Sequence, residues 1–127
     1  MYESYEKKME KINSSLERLL EEASIDYATL ILQSEKLDIE FKLNKKSLLR
    51  KIEYYKNKID SNLLESLENE NVQDIIERTK FDILYTEKKY LLDQRRLNLE
   101  IEEKHQQILK LQSDLSVQND RQLGLFD

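Results

Sequence analysis

The chain has 127 residues, with 26 acidic and 21 basic side chains, no proline, one glycine and no cysteine. The lack of cysteine excludes disulfides and thiolate chemistry, and the near absence of proline and glycine removes the usual signals of turns. Charged residues make up 37% of the chain, which is typical of long helices or coiled coils. There is no apolar run of the ~20 residues that a membrane-spanning helix needs, and no signal-peptide pattern, so we expect a cytoplasmic protein with no membrane contact.

The first predicted helix covers residues 3–67 and begins with a heptad pattern. Apolar side chains recur there with the 3-4 spacing of a coiled-coil seam. These residues are Tyr2, Tyr5, Met9, Ile12, Leu16, Leu19 and Ala23. The seam continues less regularly from Tyr27 to Leu63, and Lys45 interrupts it. Ser24 and Asp26 are residue types that cap helices, so a bend over residues 24–26 is an open alternative.

The turn is predicted at residues 68–71, where asparagines break the apolar pattern. Asn71 suits the N-cap and Asp74 the first turn of a second helix over residues 72–117. A short turn makes the two helices antiparallel neighbours, so residue i should face roughly residue 138 − i. The seam of the second helix consists of Ile76, Ile83, Tyr90, Leu97, Ile101, Ile108, Leu111 and Leu115.

The predicted fold class is therefore all-α, an antiparallel helical hairpin or coiled coil that dimerises into a helical bundle. The expected register leaves residues 1–20 projecting beyond the partner helix, with their seam uncovered. The second helix also carries a second apolar row, made of Phe81, Leu84, Tyr85, Leu91, Leu92 and Leu99. Because one neighbouring helix covers only one narrow stripe, both features predict a homodimer. The alternative is a bend near Ala23 that folds residues 1–20 back as a third helix.

Residues 118–127 are predicted to form a flexible tail behind a helical body of residues 1–117. The polar residues 116–121 weaken a helix, because most compete with the backbone for hydrogen bonds. The large apolar side chains of Leu123, Leu125 and Phe126 follow them. Such side chains at an exposed tip indicate insertion into a pocket of another protein. The alternative is that they fold back onto the uncovered seam of residues 1–20.

Residues 122–126 read Gln-Leu-Gly-Leu-Phe. They resemble the pentapeptide by which bacterial polymerases, mismatch-repair proteins and replication regulators bind the sliding clamp, the beta subunit of DNA polymerase III. The family pattern is Gln-Leu, a small or acidic residue, then Leu-Phe. The residues that match its four defining positions are Gln122, Leu123, Leu125 and Phe126, with Gly124 at the permissive spacer. The resemblance covers five residues of the chain and implies nothing about the fold of the rest.

This resemblance implies a replication inhibitor or adaptor, and because bacteriophages and plasmids encode similar small modulators, it is compatible with a phage or plasmid origin. By resemblance, the Gln122 carboxamide would bond at the pocket mouth, Leu123 would enter one subsite, and Leu125 with Phe126 would fill a deeper one. Burying three large apolar side chains contributes roughly 5–8 kcal/mol before the costs of ordering and association. A single site should therefore bind at about micromolar strength.

A basic band is predicted near the middle of the hairpin, because the expected register places residues 42–50 opposite residues 88–96. The residues considered for nucleic-acid contact are Lys42, Lys46, Arg50, Lys51, Lys88, Lys89, Arg95 and Arg96. One interpretation is contact with DNA phosphates. The simpler one, which we favour, is a solvated coiled-coil face.

The sequence indicates no enzyme, cofactor or metal. His105 is the only histidine, and neither a second histidine nor a cysteine joins Glu102 and Glu103 to complete a ligand set. The sequence has no phosphate-binding glycine loop, nucleophile elbow or paired-carboxylate pocket. The alternatives to clamp binding are a DNA-contacting coiled coil that uses the basic band, and a structural scaffold such as a virion component.

Overall fold

The computed structural model describes residues 4–61 and 66–124, with the side chains of residue 66 and residues 121–124 left out. Two α-helices form this part of the chain: α1, Tyr5–Asp60, and α2, Ser66–Gly124. They pack as an antiparallel hairpin, in which Ile52 of α1 lies in one cluster with Val72 and Ile76 of α2. The predicted all-α hairpin is confirmed.

Helix α1 is continuous, so the bend considered over residues 24–26 and the third helix built on it are wrong. Ser4 caps the helix, since its Oγ accepts a hydrogen bond from the backbone N–H of Lys7 at 3.3 Å. Ser24 does not cap a new helix. Its hydroxyl donates instead to the carbonyl oxygen of Leu20 at 2.8 Å, a bond that a serine can make inside an uninterrupted helix.

Helix α2 is longer at both ends than the predicted span of residues 72–117. It begins at Ser66, so the predicted turn at residues 68–71 is helical. Asn71 lies inside the helix and is not its N-cap. Asn69 and Asn71 do not end the helix, because an asparagine lowers helix propensity by less than about 1 kcal/mol. Glu68 lies in the first turn and complements the helix dipole. At the other end the helix continues to Gly124. The polar residues 116–121 lower helix propensity by only some tenths of a kcal/mol each, which is too little to end a packed helix.

The earlier start of α2 changes the register between the helices. Lys45 contacts Glu87, Phe41 stacks on Tyr90, and Asp26 meets Lys104. In these three pairs residue i faces a residue within one position of 131 − i, and not 138 − i. With the longer α2, residues 5–20 do not project alone, and Met9 is buried, at 4% exposure. The predicted overhang is therefore wrong.

The hairpin divides into two compact units, which we call the terminal unit (residues 1–33 with 97–127) and the central unit (residues 34–96). In the terminal unit the predicted first seam is only half correct. Met9, Leu16 and Ala23 are buried or half-buried, whereas Tyr5, Ile12 and Leu19 are exposed. The second seam position of each heptad lies one residue later, at Asn13 and Leu20, which are half-buried.

The second helix supplies the rest of the core in the terminal unit. Leu97 and Leu111 are buried, and Ile101, Ile108 and Leu115 are half-buried. This part of the α2 seam follows the predicted heptad pattern, so the prediction is confirmed for these five residues.

The central unit has its core close to the start of α2. Ile52, Val72 and Ile76 are buried together, with Tyr55, Ile59 and Ile83 packed against them. Thr79 is the most buried polar residue of this unit, at 1% exposure, and its hydroxyl donates to the carbonyl oxygen of Ile75 at 2.7 Å. Its polar group is thereby satisfied inside the helix, as burial requires.

Lys45, predicted to interrupt the seam, is accommodated by contacts with both helices. Its Nζ lies 3.2 Å from the Glu87 carboxylate of α2 and 5.9 Å from the centre of the Phe41 ring. The aliphatic stem of a lysine packs along apolar surface while its ammonium reaches an acid or solvent. The seam therefore continues through this residue without an unpaired charge.

Phe41, Tyr90 and Asp38 form a cross-helix contact in the central unit. The rings of Phe41 and Tyr90 stack with centroids 4.1 Å apart, and the Tyr90 hydroxyl donates a hydrogen bond to the Asp38 carboxylate. That hydrogen bond, together with partial burial and the nearby negative charge, raises the pKa of Tyr90 above its ordinary value of 10.0. This contact ties the two helices in a fixed register.

We expect Ile76→Ala to lower the free energy of unfolding by about 2–4 kcal/mol, because it removes a branched side chain from the small core of the central unit. Urea unfolding followed by circular dichroism measures this. The control is Leu67→Ala, since Leu67 is 69% exposed; its effect should stay within about 0.5 kcal/mol. Equal losses in the two variants would contradict the assigned core.

The contact of Tyr90 with Asp38 predicts a loss of stability at alkaline pH. Because the folded-state pKa lies above the unfolded-state value, the stabilisation is fully present below pH 10.0 and is lost as pH rises through the raised pKa. Tyr90→Phe should therefore flatten the fall in unfolding free energy above pH 10.0. Tyr85→Phe, at an exposed tyrosine of the same helix, should leave that fall as steep as in the parent chain.

Candidate docking segment and charged faces

The pentapeptide of residues 122–126, which we call the docking segment, begins inside helix α2. The backbone of residues 118–124 is helical, so the helix continues past its predicted end at residue 117, and the flexibility of the tail remains a prediction. The side chains of Gln122 and Leu123 lie outside the described residues, as do Leu125 and Phe126 entirely. The two alternatives for these side chains, exposure for a partner or packing onto residues 1–20, therefore both remain predictions.

The helix leading into the docking segment is packed against α1 almost to the segment itself. Leu111 is buried, and Leu115 and Gln118 are half-buried. Only residues 119–121 separate Gln118 from Gln122. Three residues span at most roughly 10 Å, so any protein bound to the docking segment lies close to the end of the hairpin body.

The eight basic residues predicted for nucleic-acid contact are all exposed and belong to the central unit. On α1, Lys42, Lys46 and Arg50 are spaced four residues apart, so they share one helix face. On α2, Lys88 and Arg95 are seven residues apart and likewise share a face. Lys51, Lys89 and Arg96 lie on the flanks, where Arg96 Nη2 is 4.0 Å from Asp93 Oδ1 of the same helix.

The two basic stretches do not combine into one band. The Lys42 face of α1 also carries exposed Ile39 and Leu43, and the Lys88 face of α2 also carries exposed Phe81 and Leu92. Both faces lie on the side of their helix away from the buried seam. In the observed register residues 42–50 face roughly residues 81–89, so the two basic stretches share a level only near Lys42, Lys88 and Lys89.

His105 is exposed, and its ring centroid lies 6.0 Å from that of Tyr27. The neighbouring Lys104 reaches Asp26 of α1, with Nζ 3.5 Å from Oδ2. Within residues 4–61 and 66–124, no group of three histidine, cysteine, aspartate or glutamate side chains is arranged to hold a metal ion. Over the same residues, neither helix contains a stretch that is long and apolar enough to span a bilayer.

No protein-family model, curated protein or solved structure matches this chain. The residues of the chain itself, and above all the docking segment, therefore carry the indication of its function.

We expect any binding to duplex DNA to use one basic face at a time. Neutralising about three phosphates gives a slope near −3 in a plot of log association constant against log salt concentration, and eight would give about −7. Fluorescence anisotropy with a labelled duplex at several salt concentrations measures this slope. A value near −7 would show that both faces contact one duplex and would contradict this expectation.

Proposed function

We propose that this chain binds a bacterial DNA-polymerase sliding clamp through the docking segment, residues 122–126, and thereby modulates or inhibits DNA replication. The observation that carries the proposal is the match of Gln122, Leu123, Leu125 and Phe126 to the four defining positions of clamp-binding peptides. A partner in the replication machinery implies that the chain acts in the cytoplasm.

The chemistry of the docking segment suits a pocket that is apolar inside and polar at its mouth. Two leucines and a phenylalanine supply apolar surface, and the Gln122 carboxamide supplies a donor and an acceptor. The exchange of this apolar surface from water into a pocket provides the favourable free energy, and ordering of the segment opposes it. The segment contains no charged residue, so its binding should depend only weakly on salt.

The helical backbone of residues 122–124 adds a conformational step to this proposal. If the pocket takes the segment in an extended form, the last turn of α2 has to unwind first. That cost is small, because Gly124 is less favourable in a helix than alanine by about 1 kcal/mol. A docking segment that begins as part of α2 would therefore bind only modestly more weakly than an unstructured one.

A bound docking segment excludes every other protein that uses the same pocket of that clamp subunit. The helical body also stays near the ring, since at most three residues connect it to the segment. Both effects favour inhibition, because polymerases of this family reach the clamp through the same kind of peptide. The body would then add steric exclusion to competition for the pocket.

We expect the double variant Leu125→Ala with Phe126→Ala to weaken binding to purified clamp by at least about 2 kcal/mol, or roughly 30-fold, since it removes the central apolar anchors. Isothermal titration of the full chain against a bacterial clamp measures this. The matched control is Val117→Ala, which alters an exposed apolar residue of the same helix outside the segment and should bind like the parent. Unchanged affinity of the double variant would refute the proposal.

A clamp-dependent primer-extension assay separates inhibition from recruitment. The parent chain should slow extension, and excess clamp should restore the rate, because the competition is for a pocket. The double variant should have no effect at the same concentration. Inhibition by the double variant would show that the body, and not the docking segment, is responsible.

A further inference from the structure

Helix α2 carries an exposed apolar row on its outward side in the central unit. We call Phe81, Leu84, Tyr85, Leu91 and Leu92 the outer row; their exposures run from 53% at Leu84 to 70% at Phe81. Their spacing of three, four and seven residues places them on one face of the helix. Because α1 packs on the opposite side, through Ile76, Ile83 and Tyr90, no residue of α1 shields this row.

The amount of surface points to an uncovered interface. The chain exposes 10201 Å², whereas a compact monomer of 15.3 kDa exposes about 7,100 Å². The excess is about 3,000 Å² per chain, or about 6,000 Å² for two chains, which is enough surface for the roughly 2,000–5,000 Å² in total that an obligate homodimer buries. A row of large apolar side chains left in water is unusual for a monomer and marks an interaction surface.

We propose that the occupant of the outer row is a second copy of this chain, packed antiparallel along α2 with Lys88 at the two-fold axis. Residues equally far from Lys88 in opposite directions then meet across the axis. Leu84 of one copy lies opposite Leu92 of the other, and Tyr85 lies opposite Leu91. Every apolar residue between positions 84 and 92 of this face therefore gains an apolar partner in both halves of the interface.

The charged residues of this face fit the same arrangement. Phe81 lies opposite Arg95, whose guanidinium can stack on the face of an aromatic ring. At the axis the two Lys88 stems can lie along apolar surface while their ammonium groups turn outward into solvent. A symmetric interface of this kind closes after two copies.

The proposal is independent of clamp binding, because the outer row and the docking segment share no residue. It has one consequence for that function: each assembly would present two docking segments. If both reach pockets of one clamp ring, the second binds as an intramolecular event and the apparent affinity rises.

Light scattering coupled to size-exclusion chromatography tests the assembly of the full chain. We expect twice the mass of 15.3 kDa at micromolar concentrations. Leu92→Glu should raise the dissociation constant at least about 30-fold, since it places a charge in the apolar centre of the interface. The matched control is Leu43→Glu, at a residue of α1 that is similarly exposed, 61% against 67%, and it should remain dimeric.

Some outcomes of this experiment would overturn the proposal. If the unsubstituted chain is monomeric throughout the concentration range, a second copy does not cover the outer row. A different protein or a lipid surface would then be its partner. Dissociation by Leu43→Glu without dissociation by Leu92→Glu would place the interface on α1. Larger assemblies that survive Leu92→Glu would favour a scaffold.

Single cysteines test the register even if Leu92→Glu prevents folding. The chain contains no cysteine, so Lys88→Cys introduces one thiol per copy. In the proposed dimer the two thiols meet at the axis, and mild oxidation should link most of the chains in pairs. Phe81→Cys should not link to itself, because position 81 lies opposite position 95. Efficient linkage through position 81 and not through position 88 would indicate a parallel or shifted arrangement and overturn the proposal.

Discussion

The packing of one apolar seam between α1 and α2 determines most of the properties of this molecule. Two helices bury only the narrow stripe along which they touch, so the interior is small and a large apolar surface remains in water. The seam also carries polar contacts, because Tyr90 donates to Asp38 and Lys45 pairs with Glu87 across it. A slip of the helices along each other would separate these partners, whereas apolar side chains alone would tolerate it better. The register is thus fixed by specific polar pairs as well as by burial.

Much of this fold could be predicted from the periodicity of apolar residues. The heptad spacing of Ile76, Leu97 and Leu111 predicts that they lie in the seam, and they are buried in the structure. The turn could not be placed in the same way. Asn69 and Asn71 are typical of turns, but asparagine weakens a helix only slightly, so its presence does not show whether the helix has already begun. The predicted turn at residues 68–71 therefore lies later in the chain than the observed one. This later turn gives a different register between the helices and an overhang that the structure does not have.

The docking segment could be identified from its residues but not positioned. Five residues suffice to match a peptide motif, since the partner and not the parent fold determines its chemistry. The polar composition of residues 116–121 predicted that the helix would fray before this segment, yet the helix continues to Gly124. Helix propensities differ by less than 1 kcal/mol per residue, whereas packing of residues such as Leu111 and Leu115 stabilises the helix over several turns. Tertiary packing therefore outweighs composition at this end of α2.

The basic residues show why a charge pattern needs a register before it indicates a surface. In the observed register residues 42–50 face roughly residues 81–89, so the basic stretch of residues 88–96 meets only the beginning of the first stretch. The predicted register joins two stretches that the observed register shifts apart along the hairpin. Lys88 and Arg95 share their helix face with Phe81 and Leu92, and so they lie in the apolar outer row. A face that combines large apolar residues with a few long cationic side chains is better suited to another helix than to a phosphate backbone, because the stems of lysine and arginine themselves contribute apolar contact area.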